Sequence, residues 1–239
     1  MKIKNKVGFE NICVIGVGAI GSVLGGFLSN AGYKVTFIEK NEDIIRQVKE
    51  NGLSISGVKE IHCDNVNIMS PESIIEKQDL IFYAVKAYNL EEALMNSLSM
   101  IGKDTYIVCI QNGLGIGEIV NRYVNERQII EGIIWFPAIT VETGHVELLT
   151  FYEESIFGAF SYTSQEYVTK LVSILNEIGI PARTTDDIIS EIWRKAIPII
   201  VGNSINAITR KHLCTISEIP ELRESLMAVS QGRYYKIHG

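Results

Sequence analysis

The sequence predicts an α/β fold: a parallel sheet covered by helices on both faces, followed by a segment that is helical throughout. Three observations carry this prediction. Short, continuously apolar stretches recur up to about Thr184, the pattern of strands buried on both faces. Stretches of helical length alternate with them. A glycine-rich turn, Gly16-Val17-Gly18-Ala19-Ile20-Gly21, joins the first strand to the first helix.

The elements follow in order. "ICVIG" is too short for a helix and is stopped by Gly16, so it reads as a strand. Small and apolar residues from Ala19 to Ala31 predict a helix that Gly32 ends. "KVTFIE" is rich in β-branched and aromatic residues and reads as a second strand. Asn41 is placed to cap a helix over "EDIIRQVKEN", with Gly52 as its stop. "LSISG" and "EIHCDNVNI" suggest a small side hairpin. "DLIFYAVK" and "TYIVCIQNG" are buried strands separated by the amphipathic helix "NLEEALMNSLSMI". A short helix near Gly117–Tyr123, strands at "IIEGIIWFPA", "HVELL" and "SIFGAF", and a helix over Ser164–Ile178 complete the alternating part. Beyond it, "DDIISEIWRKAIPIIVGNSINAITR" and "ELRESLMAVSQGRYYKI" are helical only. The change of pattern places a boundary between residues 1–184 and 185–239.

Composition narrows the classes of function. The 239 residues are 46% hydrophobic with a net charge of −6, and Lys and Arg are scattered rather than clustered, which argues against a nucleic-acid partner. The charged start "MKIKNKVGFE" has no apolar stretch behind it, and no apolar run reaches membrane-spanning length. Cys13, Cys63, Cys109 and Cys214 form no Cys-x-x-Cys pair, and Cys13 and Cys109 fall in apolar strands as buried, reduced thiols. His62, His145, His212 and His238 lack metal-ligand spacing, so no metal site is expected. These features point to a cytoplasmic protein without a membrane partner.

The glycine turn carries the chemistry. Gly16 permits the tight turn, Gly18 lets a pyrophosphate approach the backbone, and Gly21 allows close helix–strand packing. The amides of Ala19 and Ile20 belong to the same helix N-terminus, where free N–H groups and the helix dipole meet an anion. A simple packing turn is the alternative. Glu39 ends the second strand, where a carboxylate accepts from the ribose hydroxyls of NAD and repels the 2′-phosphate of NADP. It is otherwise a solvated strand-end charge, and the adjacent Lys40 offers a cation to that same phosphate. Both NAD and NADP therefore stay open. Lys86 and Asn112 close the two buried strands at "AVKAY" and "QNGLG", on the carboxyl side where open α/β sheets bind ligands. A solvated lysine and an Asn-Gly turn are the competing readings.

In order and spacing, "GVGAIGS", "AVKAY", "QNGLG" and "WRKAIPIIVGNSINAITR" resemble the 2-dehydropantoate 2-reductases (ketopantoate reductases) and their D-2-hydroxyacid dehydrogenase relatives. The resemblance runs from Ile12 to about Gly239. It implies a Rossmann-type dinucleotide-binding domain followed by an α-helical substrate domain, with the active site between them. It implies reduction of a 2-oxo acid to a D-2-hydroxy acid by a nicotinamide cofactor, most directly 2-dehydropantoate to pantoate on the way to pantothenate and coenzyme A. By the same resemblance Lys195 is the general acid to the substrate carbonyl, Asn112 lies near nicotinamide and substrate, Asn203 contacts substrate and Lys86 borders the cofactor. A homodimer is a compatible assembly.

The residues around Lys195 fit that role. The lysine sits in the apolar helix "EIWRKAIPIIVG", where it either snorkels or faces a polar cavity. Desolvation lowers an ammonium pKa toward useful acid–base range, and an ammonium stabilises a developing alkoxide. Pro198 predicts a kink just beyond it, and Trp193 is expected in the core. The chain also departs from the family pattern. Ile199 stands where many members have asparagine, and Glu39 stands where a basic residue often selects NADP. The chain stops at "YYKIHG", before further family helices that carry an acidic residue and a serine at the substrate site, so the all-α domain is expected to be partial. An NAD-dependent D-2-hydroxyacid dehydrogenase, favoured by Glu39 and Ile199, and a non-catalytic nucleotide-binding remnant are the alternative functions.

Overall fold

The structure is a computed structural model that describes residues 8–73, 76–161, 165–210, 219–221 and 223–224. The chain divides into two compact units, Met1–Ile188 and Ile189–Gly239. In chain order, β1 (Asn11–Ile15) leads into α1 (Ala19–Asn30), β2 (Lys34–Ile38), α2 (Glu42–Asn51), β3 (Leu53–Gly57), β4 (Ile61–Cys63) and β5 (Ile68–Met69). Then come β6 (Leu80–Tyr83), α3 (Leu90–Ser97), β7 (Tyr106–Cys109), α4 (Ile116–Val120), β8 (Ile129–Ile133), β9 (Ala138–Glu142), β10 (His145–Leu148) and β11 (Ser155–Ala159). The last elements are α5 (Gln165–Glu177), β12 (Ala182–Thr184) and α6 (Ile188–Thr209).

The main sheet has eight strands in the order β12-β11-β8-β7-β6-β1-β2-β5. Every neighbouring pair is parallel except β8 with β11. Strand residues alternate between two faces, and both faces are buried. Ile12, Val14, Leu80, Phe82 and Val108 join the core built with Val23, Leu24 and Phe27 of α1 and Leu171 and Leu175 of α5. Cys13, Ile15, Ile81, Tyr83, Ile107 and Cys109 join the core built with Leu90 and Leu94 of α3 and Ile116 and Val120 of α4. Double-sided burial is why these strands read as unbroken apolar runs rather than as alternating ones.

Local chemistry places the helix ends. The Asn41 side chain accepts from the Asp43 and Ile44 amides at 2.9 and 3.4 Å, and Gly52, at φ +75°, closes α2. The hairpin predicted near residue 53 forms from β3 and β4, but it is half of a second sheet, ordered β4-β3-β10-β9. Its inner residues Leu53, Ile55, Val146 and Leu148 pack into the α1 core, so α1 lies between two sheets. Both surfaces come close. A Cβ at Gly25 would sit 2.2 Å from the Phe37 ring, and one at Gly26 would sit 2.6 Å from Ile55 Cδ1.

Several expectations change. "EIHCDNVNI" does not stay in the hairpin, because Ile68–Met69 leaves to extend the main sheet as β5 beside β2. "IIEGIIWFPA" is divided between sheets. β8 ends at Ile133, and past Pro137, which has no ladder donor, the chain enters the second sheet as β9. The three-residue β12 is too short for a periodic signal. Pro198 lies inside α6, where a kink rather than an end of the helix is expected. Trp193, expected in the core, is 48% exposed, on the same side of α6 as the exposed Ile189 and Ile197 one turn away on either side. Of the helix expected over "ELRESLMAVSQGRYYKI", Glu221, Arg223 and Glu224 are described and helical, and the remainder lies outside the described residues. Cys13, Cys63 and Cys109 are free and buried, and burial raises each thiol pKa; Cys214 lies outside the described residues. Among the described residues, no helix is long and apolar enough to cross a membrane.

The confinement of α1 predicts that Gly25→Ala destabilises the protein even though alanine is the better helix former. Overpacking against Phe37 costs about 1–3 kcal/mol, set against a propensity gain of about 1 kcal/mol, and with the Cβ 2.2 Å from the ring the cost lies toward the upper end. Thermal unfolding of Gly25→Ala and of the Gly25→Ala/Phe37→Leu pair checks this. The single variant melts lower, and the smaller side chain restores part of the loss.

Candidate functional site

The carboxyl ends of β1, β2 and β6 enclose a cleft of about 220 Å³. Gly16, Gly18, Glu39 and Lys40 line it, together with Lys86 and, from α3, Glu92 and Asn96.

The glycine turn is built by close approach. Gly16 has φ +98°, and its N–H donates to the Ile38 carbonyl at 2.8 Å, which ties the loop to the end of β2. A Cβ at Gly16 would lie 2.9 Å from Val85, and one at Gly21 would lie 2.0 Å from the Gly16 carbonyl oxygen. Gly18 differs: a Cβ there meets nothing within 4 Å, although Gly18 lines the cleft. It is the N-cap of α1, with no side-chain cap and no acidic residue in the first turn. The first amides of α1 are thus left to an external acceptor, with the helix dipole behind them. An open cradle at an uncapped helix start fits the diphosphate of a dinucleotide.

Glu39 clasps this loop. Its Oε2 accepts from the Val17 amide at 3.0 Å, and its Oε1 accepts from the Lys40 and Asn41 amides at 2.9 and 3.1 Å. A carboxylate has about four acceptor positions, so one on Oε2 is left for a ribose hydroxyl. Lys40 is not directed at the loop; its Nζ lies 3.4 Å from Glu92 Oε2 at the start of α3. Lys86 lines the cleft at the end of β6.

The other anticipated site residues are placed as follows. Ala19, Ile20 and Gly21 form the first turn of α1 behind Gly18. Asn112 follows β7 and is exposed, but it does not line this cleft. Lys195 and Asn203 lie on α6 in the second unit; Lys195 is half-buried and Asn203 is exposed. Burial lowers the Lys195 ammonium from 10.5 to about 8. Sequence reasoning missed Gln111, whose Nε2 donates to the Tyr83 and Val85 carbonyls at 2.7 and 3.1 Å and so fixes the end of β6. Its presence within "QNGLG" was the available signal. Glu92 and Asn96, also missed, come from a helix whose pattern marks only its buried side. Among the described residues, no three His, Cys, Asp or Glu side chains gather as a metal site, and His212 and His238 lie outside them.

Comparison with known proteins follows the same residues. The family model described as "Ketopantoate reductase PanE/ApbA" matches residues 12–162. The chain belongs to the ketopantoate reductase family. That family consists of nicotinamide-dependent oxidoreductases. The chain is 29% identical to a 2-dehydropantoate 2-reductase of Streptococcus pyogenes, over 92% of this chain and 70% of the relative. It is 33% identical to that of Pyrococcus abyssi, over 82% of this chain and 62% of the relative. A solved D-mandelate dehydrogenase with NADH and anilino(oxo)acetate is 26% identical, with a TM-score of 0.84 over 90% of this chain and 70% of that one. A 2-dehydropantoate 2-reductase from Geobacter metallireducens shares the fold, with a TM-score of 0.87 over 92% and 73%.

The Glu39 clasp predicts that Glu39→Ala lowers the melting temperature of the dinucleotide-free protein. Loss of a carboxylate that serves three backbone amides costs about 1–2 kcal/mol, or about 2–8 °C at this chain length. An unchanged melting temperature would count against the clasp.

Proposed function

We propose that this chain reduces a 2-oxo acid to a D-2-hydroxy acid with NADH, with 2-dehydropantoate as the first substrate to test. The observation that carries this reading is the pairing of an uncapped glycine-loop helix with a carboxylate at the end of β2, inside one cleft of a ketopantoate reductase-family protein. Gly16, Gly18, Ala19, Ile20 and Gly21 hold the diphosphate through backbone amides. Glu39 takes a ribose hydroxyl on its open acceptor position, and Lys86 borders the cofactor from β6. When bound, the nicotinamide supplies the hydride.

Lys195 is the general acid in this reading, and Asn112 and Asn203 hold the substrate. The ammonium of Lys195 donates a proton to the carbonyl oxygen of the 2-oxo acid as negative charge develops there, and is left neutral. Its acid form is present below about 8 and is lost above it. Turnover therefore falls as pH rises through that value, whereas an unperturbed lysine would hold its proton to about 10.5. An NAD-dependent D-2-hydroxyacid dehydrogenase is the second reading. The likeness to the NADH-bound D-mandelate dehydrogenase favours it.

Two experiments test the assignment. Lys195→Ala reduces turnover by about 10²–10⁴-fold and leaves the NADH dissociation constant unchanged; the alkaline limb near pH 8 disappears with the lysine. Full turnover in that variant would remove Lys195 from the mechanism. Gly18→Val folds with an unchanged melting temperature, since a side chain there meets open space, but it no longer binds dinucleotide. Retained binding by the folded variant would move the diphosphate elsewhere. Turnover with 2-dehydropantoate against a panel of branched 2-oxo acids separates the two readings of substrate.

A further inference from the structure

We infer that Glu92 is a second specificity residue of the cofactor cleft, one that excludes a 2′-phosphate by holding Lys40. The inference rests on the reading of Glu39 as the ribose end of the site.

Lys40 and Lys86 are the cations among the described residues lining the cleft, and Glu39 and Glu92 are the carboxylates. Lys86 stands at the end of β6, so Lys40, next to Glu39, is the cation placed to meet a 2′-phosphate. Its Nζ is instead 3.4 Å from Glu92 Oε2. Glu92 lies in the first turn of α3, where the helix dipole favours a negative charge. Its neighbour Glu91 is occupied differently, accepting from the Tyr123 hydroxyl at 2.6 Å. The two glutamates thus divide their work: Glu91 ties α3 to the region after α4, and Glu92 faces across the cleft to β2.

A 2′-phosphate brings close to two negative charges at neutral pH. To bind it, Lys40 turns its ammonium from Glu92 to the phosphate, so the ion pair with Glu92 is set against phosphate binding. The ribose hydroxyl of NADH demands no such change. Both partners of the pair are about 60% solvent-exposed, at 60% and 58%, so the effect on binding is moderate and depends on salt.

The test compares dissociation constants of NADH and NADPH, read by fluorescence titration at one low ionic strength, for the parent protein, Glu92→Gln, Lys40→Ala and the double variant. Glu92→Gln tightens NADPH binding by about fivefold and changes NADH binding by less than about twofold. Most of that gain is absent when Glu92→Gln is added to Lys40→Ala. An unchanged NADPH affinity in Glu92→Gln overturns the inference, as does an equal gain with and without Lys40. A parent protein that prefers NADPH overturns the NADH reading alone, because the role of Glu92 is read from the change between variant and parent. A parent protein that binds neither dinucleotide overturns both.

Discussion

The position of α1 depends on one contact. Gly21 lies so close to the Gly16 carbonyl oxygen that any side chain at residue 21 would overlap it, at 2.0 Å. That approach sets the first turn of the helix directly against the end of β1. From there the Gly16 amide reaches Ile38 and the Val17 amide reaches Glu39, so β1, the loop, the helix start and β2 form one connected unit. The cleft is the space left in front of that unit. A larger residue at 21 would move the helix start, and with it the first amides of α1.

The same packing logic explains which parts of the fold the sequence revealed. β1, β2, β6 and β7 are buried on both faces and have no polar alternation to obscure them, so their apolar runs stood out. α2 announced itself through Asn41 and Gly52, whose conformations match their capping roles. The second sheet was only half visible. Its strands β3 and β10 pair in parallel although Ser56 and His145 lie 89 residues apart, and no local pattern encodes a pairing at that distance. The antiparallel β8–β11 pair was hidden for the same reason. At the site, the glycine loop and Glu39 were legible because their spacing has a mechanism. Gln111 and Glu92 were not, because their significance comes from carbonyls and a cation supplied by other strands.

The electrostatics of the cleft are local rather than global. The chain carries a net charge of −6, which opposes the approach of a dinucleotide diphosphate at long range. Screening confines that opposition to about 8 Å at physiological ionic strength. Within that distance the loop offers backbone amides and a helix dipole, neither of which appears in a count of charged residues. The carboxylates that line the cleft, Glu39 and Glu92, come from the end of β2 and from α3 rather than from the first turn of α1. An acidic protein can in this way present a locally favourable site to an anion.

The placement of α1 between two sheets has a consequence for biosynthesis. One of its faces packs on β1 and β2, which emerge from the ribosome with it, but the other needs Val146 and Leu148 from β10. Until that strand has been translated, Gly26 and its apolar neighbours on α1 have only the β3–β4 hairpin over them, and an isolated two-stranded hairpin is marginally stable. The nascent chain therefore carries an incompletely covered apolar helix from the completion of α1 at Asn30 until β10, which starts at His145, has been made. Long-range strand pairing of this kind slows folding and exposes intermediates to aggregation. The interval ends when β10 inserts beside β3, which makes that late strand the closing piece of the nucleotide-binding half.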